Sequence, residues 1–488
     1  MKAQATRVEL DDIQGLLRFG YKHHTEACFV LLRVTNRAAA RAWLAEAPVQ
    51  NAVARDPLPQ TVLQVAVTSG GLRALGVAAE VIDNFSPEFV AGMAGNGNRE
   101  RRLGDVGANA PRHWRWGGDG ALPDVLLMLY ARPGRLGEWR RELEAQYKSG
   151  FECLACLPCS GQRGAEPFGF ADGISQPQLD WERQRAARDR ESRSYTNLAC
   201  LGEFVLGYPN EYGNYTDRPL LDPGRAGAAL LPRAEDAPGL ADLGRNGSYL
   251  VLRQLRQDVP GFWRFLDSHA GGDPAMRQKL AEAMVGRTLQ GEPLAAPEAG
   301  SNDFTYSDDP QGVRCPLGAH IRRANPRNAD LPPGTRGPAS RAICALGLDR
   351  TAMAQDLVAS TRFHRLLRRG RPYGAAISPA QALDGCPGRD EQGLYFIGLN
   401  ANLSRQFEFV QGAWLAGSRF NGLNESDPLL GPRLPSPGGN PTDTFSIPQA
   451  GGPDQRVTGL PQFVTVVGGA YFFLPGIRAL RYLATGLI

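Results

Sequence analysis

The segment Phe168-Gly169-Phe170-Ala171-Asp172-Gly173-Ile174-Ser175-Gln176-Pro177 sets one acid among glycines and small or apolar residues. No cation lies within the run to pair with Asp172. A carboxylate so placed is poorly solvated, and desolvation pushes a carboxyl pKa up. That makes Asp172 a candidate proton shuttle. The competing reading is a local turn, in which the Asp side chain bonds its own backbone. A second group, Cys153, Cys156 and Cys159, has spacing that suits part of an iron–sulfur or zinc site. No fourth cysteine follows at matching local spacing, and only the distant Cys200 is within reach. Three ordinary thiols are therefore the preferred reading.

Four blocks, in order, carry a resemblance that covers most of the chain. Gly169-Phe170-Ala171-Asp172-Gly173 is similar to the G-x-x-D-G signature of the dye-decolorising peroxidases, which are haem enzymes. Cys315 to Pro326, with His320 at its centre, resembles that family's proximal-histidine block. Arg368-Arg369-Gly370-Arg371-Pro372-Tyr373-Gly374 resembles its distal-arginine block, and Gly393 to Asn400 a strand of its haem pocket. Asp12-Ile13-Gln14-Gly15 is similar to its opening motif, and the length between His320 and Arg368 to its longer subgroup.

The resemblance implies haem b, held from below by His320 as the iron ligand. Gly318 and Ala319 are small enough to let a flat macrocycle approach, and Arg322 or Arg323 could meet a propionate. His364 is the rival ligand. It sits among Arg362, Arg365, Arg368 and Arg369, a cationic run that reads as an exposed or propionate-facing helix. Uneven cleavage of the peroxide O–O bond needs a base that takes a proton and returns it, and a fixed positive charge. Asp172 suits the first role. Arg368 suits the second, because it lies four residues before Pro372 as in the family. A metal-bound histidine is oriented by a partner on its other nitrogen; Glu408 is the candidate, set against a surface pairing with Arg405. Leu394 and Phe396 share one strand face and would roof the distal side.

The expected activity is reduction of hydrogen peroxide with oxidation of dyes, phenols or other aromatic donors through high-valent iron. The alternatives are a haem-binding or haem-handling protein with little turnover, and a ferredoxin-like binding module without haem. The net charge of +4 on 488 residues is too small to argue for nucleic acid. No run is apolar enough to cross a bilayer. The start lacks a secretory core, so the cytoplasm, or a capsule within it, is the simplest compartment. Eight cysteines do not suggest a disulfide scaffold. Homo-oligomer formation is left open.

The elements that must position these residues alternate. Strands are expected at Cys28–Val34, Thr61–Val67 and Asp124–Tyr130, with helices at Ala38–Ala47, Gly71–Ala78 and Leu136–Lys148. A similar grammar returns with strands at Gly247–Leu255, Leu394–Leu399 and Phe463–Val467 and helices at Val259–Ala270 and Ser404–Leu415. The class is α+β, with helices packed over antiparallel sheet. The resemblance implies two ferredoxin-like halves, 1–192 and 193–488, with haem between sheet and helices of the second. Stretches rich in Gly and Pro, such as Gly95–Gly120 and Gly422–Gln455, are expected as long surface loops.

Overall fold

In the computed structural model, the apolar runs of the first half have no polar face. Each becomes a strand covered on both sides: β1 (Glu26–Val34), β2 (Thr61–Val67) and β3 (Val125–Ala131). Side chains alternate across a strand. Cys28, Val30 and Leu32 therefore enter one core, and Ala27, Phe29 and Leu31 the other. The structure describes residues 7–485, apart from 119, 162–163, 186–194, 300–301, 329–359, 385–390 and 437. The expected boundary at Ser192 and most of the extra length before Arg368 lie outside the described residues.

The remaining strands are β4 (Phe151–Pro158), β5 (Ser248–Gln257), β6 (Leu367–Arg368), β7 (Arg371–Tyr373), β8 (Gly393–Asn400) and β9 (Val464–Leu474). Together they form one nine-stranded sheet in the order β6-β8-β5-β9-β2-β3-β1-β4, with β7 also pairing with β8. Every pairing in it is antiparallel. The strands of the two halves thus meet edge to edge. The seam is short, since β9 pairs with β2 through Phe473 and Val67.

The opening motif reinforces this seam. Gln14 is fully buried; its amide donates to Val65 O (2.7 Å) and Pro475 O (2.9 Å) and its oxygen accepts from Val65 N (2.9 Å). Asp12 accepts from Arg478 N and from the Asn246 amide, both at 2.7 Å. The segment that resembles the family's start is therefore a polar clamp between first-half and second-half backbone.

Helices cover one face of the sheet. In the first half these include α1 (Arg37–Glu46) and α2 (Leu136–Tyr147); in the second, α3 (Val259–His269) buries Phe262, Trp263 and Leu266. The short helix α4 (His320–Ala324) follows, and the last helix, α5 (Ile477–Thr485), crosses back to pack on α1. The helix expected at Ser404–Leu415 is present as two π-helical stretches, Ser404–Glu408 and Val410–Ala416. π-Helical turns concentrate at functional sites, and these border the cavity described next.

Candidate active site

A cavity of about 250 Å³ lies between the second-half sheet and its covering helices. The sheet contributes Arg253, Leu255, Arg368, Leu394, Phe396, Val464 and Val466; the helices contribute His320, Ile321, Phe407, Val410 and Leu415. The loop carrying Asp172 reaches in from the first half and completes the lining.

That loop is shaped by its own sequence. Gly169 and Gly173 adopt φ of +103° and +77°, a region that side chains with a Cβ rarely enter. Half-buried Glu166 accepts the backbone N–H groups of Phe168 and Phe170, each at 3.0 Å, and the Gln257 amide at 2.8 Å. Ala171 N donates to Leu289 O at 2.9 Å. Burial pushes Glu166 up to about 7, against these three donors. The Asp172 carboxylate is thereby presented to the cavity, with Gly173 N donating to Oδ1 at 2.6 Å.

Arg368 meets it there. Its Nη1 donates to Asp172 Oδ1 at 3.2 Å, and its backbone N–H donates to Gln176 Oε1 at 2.9 Å. The expectation that Asp172 is raised is corrected. Burial does push it up, but the Arg368 guanidinium and the Gly173 N–H more than offset that, holding the carboxyl below its usual value. A cation absent from the local run arrives from 196 positions along the chain. Alternation along the strand also explains why Arg368 and not its neighbour occupies the cavity. Arg369 points to the other face and donates to Leu16 O (2.9 Å) and Leu17 O (3.2 Å). Arg371 donates to Tyr21 O at 2.8 Å and lies over the Tyr130 ring.

His320 opens α4, and its Nδ1 is 3.0 Å from Asp427 Oδ2. Asp427 is fully buried; its Oδ1 accepts from Leu429 N (2.9 Å) and Leu430 N (2.8 Å). Burial acts to raise Asp427, yet His320 and Arg323 overcome it and hold the carboxyl below its usual value. With Nδ1 engaged, Nε2 is the nitrogen left to ligate a metal. Sequence reasoning missed Asp427. Its only local signal is an Asp-Pro turn whose carboxylate caps two following N–H groups, which says nothing about a histidine 107 positions earlier.

Four other expectations are corrected. Glu408 does not orient His320; it accepts from Arg99 (2.6 Å), Arg102 (3.1 Å) and the Tyr471 hydroxyl (3.0 Å), outside the cavity lining. Arg322 donates to Asp309 (3.1 Å) and Cys315 O (2.7 Å), and Arg323 to the carbonyls of Trp414, Glu425 and Gly417. Both guanidiniums are fully buried behind the histidine wall, with no donor turned to the cavity. Gly318 makes room for protein: a Cβ there would meet Glu425 Oε1 at 2.5 Å. His364 is buried, stacked on Phe409 with ring centroids 3.6 Å apart, and pushed down to about 4 by burial.

The cationic lining comes from elsewhere. Arg287 donates to Gly291 O (2.7 Å) and to Asn302 Oδ1 (3.1 Å); Arg365 donates to Thr196 O (2.8 Å) and to Asn197 Oδ1 (2.8 Å). Both are buried and line the cavity, and neither forms an ion pair among the described residues. A buried cation without a counter-charge is costly. A ligand bearing carboxylates would relieve that cost. An imidazole on one side, uncompensated arginines and apolar walls together fit haem: an axial nitrogen, two propionate partners and a surface for the macrocycle. The pocket strand's Leu394 and Phe396 both line this space.

No family model matches the chain. Curated relatives and solved structures do. The chain is 28% identical to a dye-decolorizing peroxidase of Mycetinis scorodonius, over 97% of this chain and 87% of the relative. It is 29% identical to a multifunctional dye peroxidase of an Amycolatopsis species, over 86% and 82%. A fungal DyP-type peroxidase from Auricularia auricula-judae superposes with a TM-score of 0.72, at 24% identity, over 99% of this chain and all of that one. A dye-decolorizing peroxidase in complex with 2,6-dimethoxyphenol gives 0.73 at 22% identity, with the same coverage. The chain shares the fold of these solved peroxidases. Over nearly its whole length, the chain is similar in sequence to dye-decolorising peroxidases.

Proposed function

We propose that this chain reduces hydrogen peroxide at Asp172 and Arg368 and uses the oxidising equivalents on phenols, dyes or other aromatic donors. The observation that carries the reading is the Asp172–Arg368 pair facing the same apolar cavity as the Asp427-backed His320. Haem, when bound, supplies the two-electron redox chemistry that peroxide cleavage requires. The chain supplies the rest. Asp172, kept ionised by Arg368, takes the proton from one peroxide oxygen and delivers it to the other, which leaves as water. The Arg368 guanidinium stabilises the negative charge that develops as the bond breaks. His320 Nε2 would hold the haem iron, with Asp427 fixing the imidazole tautomer and raising its basicity. Arg287 and Arg365 would hold the propionates.

Leu394 and Phe396 keep the peroxide side apolar, so bulky donors react away from the cavity. The two-half division, with the acid from 1–192 and the remaining groups from 193–488, is supported by the edge-to-edge seam. A reducing compartment such as the cytoplasm is supported by the free thiols of all six described cysteines. Among the described residues no helix is long and apolar enough to cross a membrane.

The test is a visible spectrum of the purified, haem-loaded chain before and after one equivalent of peroxide, followed by dye turnover at mildly acidic pH. A Soret band that shifts within milliseconds, slowed about 10²–10⁴-fold in Asp172→Asn, is expected. A change of less than threefold in that variant would remove Asp172 from the proton-transfer role.

A further inference from the structure

The cysteine cluster read as three unrelated thiols has a partner that the local spacing did not reveal. Cys153, Cys156 and Cys159 do not converge. Cys153 is exposed on β4, and no group of metal-ligating side chains occurs among the described residues. Cys156 faces the neighbouring strand β1 instead, where its Sγ lies 3.0 Å from Cys28 Sγ. In the β1–β4 register Cys28 sits opposite Pro158, so the two cysteines are diagonal neighbours. From α2, Arg140 Nη1 donates to Cys156 Sγ at 2.8 Å. Cys28 is 2% exposed and Cys156 is partly exposed. One sulfur thus belongs to a partly exposed residue on the edge strand, and the other to a buried one.

We propose that Cys156 is a peroxide-reactive thiol outside the haem site, and that Cys28 resolves its oxidised form as a cross-strand disulfide. The reactive form is the thiolate. The Cys28 S–H donates to it and Arg140 supplies a positive charge. Against burial and the nearby Glu144, these bring Cys156 down to about 6. Cys28 is pushed the other way, by the Cys156 sulfur and by burial, and stays protonated. Cys153, exposed as a residue, is raised by partial desolvation at its sulfur and by Cys156, so it is the thiol of the same strand left inactive.

The Cys156 thiolate attacks one peroxide oxygen. The O–O bond breaks, hydroxide leaves and is protonated to water, and the sulfur is oxidised to a sulfenic acid. The Cys28 sulfur then attacks Cys156 sulfur; the S–OH bond breaks, and water departs with the Cys28 proton. Closing the S–S bond to about 2.05 Å needs roughly 1 Å of approach. β4 is the edge strand, tied to the sheet on one side only, so it can supply that movement. The inference shares only the oxidant with the peroxidase reading, since no haem chemistry enters these steps.

Two measurements on the haem-loaded protein test it, with thiol mapping as the readout. Without peroxide, iodoacetamide should alkylate Cys156 at a rate that changes less than twofold between pH 7 and 8, while Cys153 accelerates about tenfold. With peroxide in excess of what the haem turns over, peptides bearing Cys28 and Cys156 should become linked. Cys28→Ser should leave a dimedone adduct on Cys156, and Cys156→Ser should yield neither product. Both variants should keep the Soret band and dye turnover, which separates failure here from failure of the peroxidase reading. A tenfold rise in Cys156 alkylation over that pH unit would overturn the proposal. So would absence of the linked peptide, or adducts that favour Cys153.

Discussion

Replacing Asp427 by Asn tests the architecture behind the histidine with little change of shape. The asparagine oxygen can still accept from Leu429 N and Leu430 N, which the native Oδ1 does at 2.9 and 2.8 Å. What changes is the 3.0 Å contact to His320 Nδ1. There a buried carboxylate acceptor becomes an amide NH2, itself a donor, so the bond from Nδ1–H is lost. Hydrogen bonds to charged groups contribute about 1.5–3 kcal/mol. The loss is therefore about 10–100-fold, the span for partners of metal-bound histidines. A carboxylate favours the more positively charged, ferric state of a ligated iron. Its loss should raise the ferric/ferrous midpoint, by about 60 mV for a tenfold one-electron change. Spectroelectrochemical titration measures that shift, and haem transfer to apomyoglobin should become about 10–100-fold faster. A midpoint unchanged within 15 mV, or shifted negative, would refute the argument that Asp427 tunes the ligand.

Three further outcomes follow from the same geometry. Arg368→Leu should move the acidic limb of the residual peroxide reaction to higher pH. Asp172 is a lowered carboxyl whose base form persists as pH falls, and without Arg368 the opposing effect of burial prevails; an unmoved limb in rapid-mixing pH profiles would argue against the pairing. Arg253→Met strips buried Asp105 of the cation it is bonded to, and breaking such a pair typically costs about 3–5 kcal/mol. Urea denaturation should show that loss, and less than 1 kcal/mol would mean the site collapses without penalty. Arg365→Gln, which removes a cavity cation bonded only to uncharged oxygens, should weaken haem retention about tenfold or more in the same transfer assay, with an unchanged rate excluding it as a propionate partner.

The one-dimensional pattern was sufficient wherever a local property settled the matter. Strands β1, β2 and β3 are runs of Val, Leu, Ala and Phe with no polar face to misplace, and they lie within a residue or two of expectation. Glycines on either side of Asp172, the strand face shared by Leu394 and Phe396, and the block around His320 were also visible as residue types at fixed spacing. What the linear order could not supply was pairing across the fold. Asp172 looked isolated because its cation is far away in sequence, so its pKa was assigned the wrong direction. Glu408, Arg322 and Arg323 had suitable chemistry, but their partners were already set by other segments: Arg99 and Arg102, Asp309, and the carbonyls around Glu425. The stretch Gly95–Gly120 read as a surface loop, yet it supplies Asp105 and Asn109 to the cavity wall. The chain alone determined which groups were available for redox chemistry. Only the folded sheet, with its two halves joined edge to edge and its loops closed over one face, decided which charge neutralises which. Coulomb and hydrogen-bond energies depend on separation in space, and the sequence records separation along the backbone.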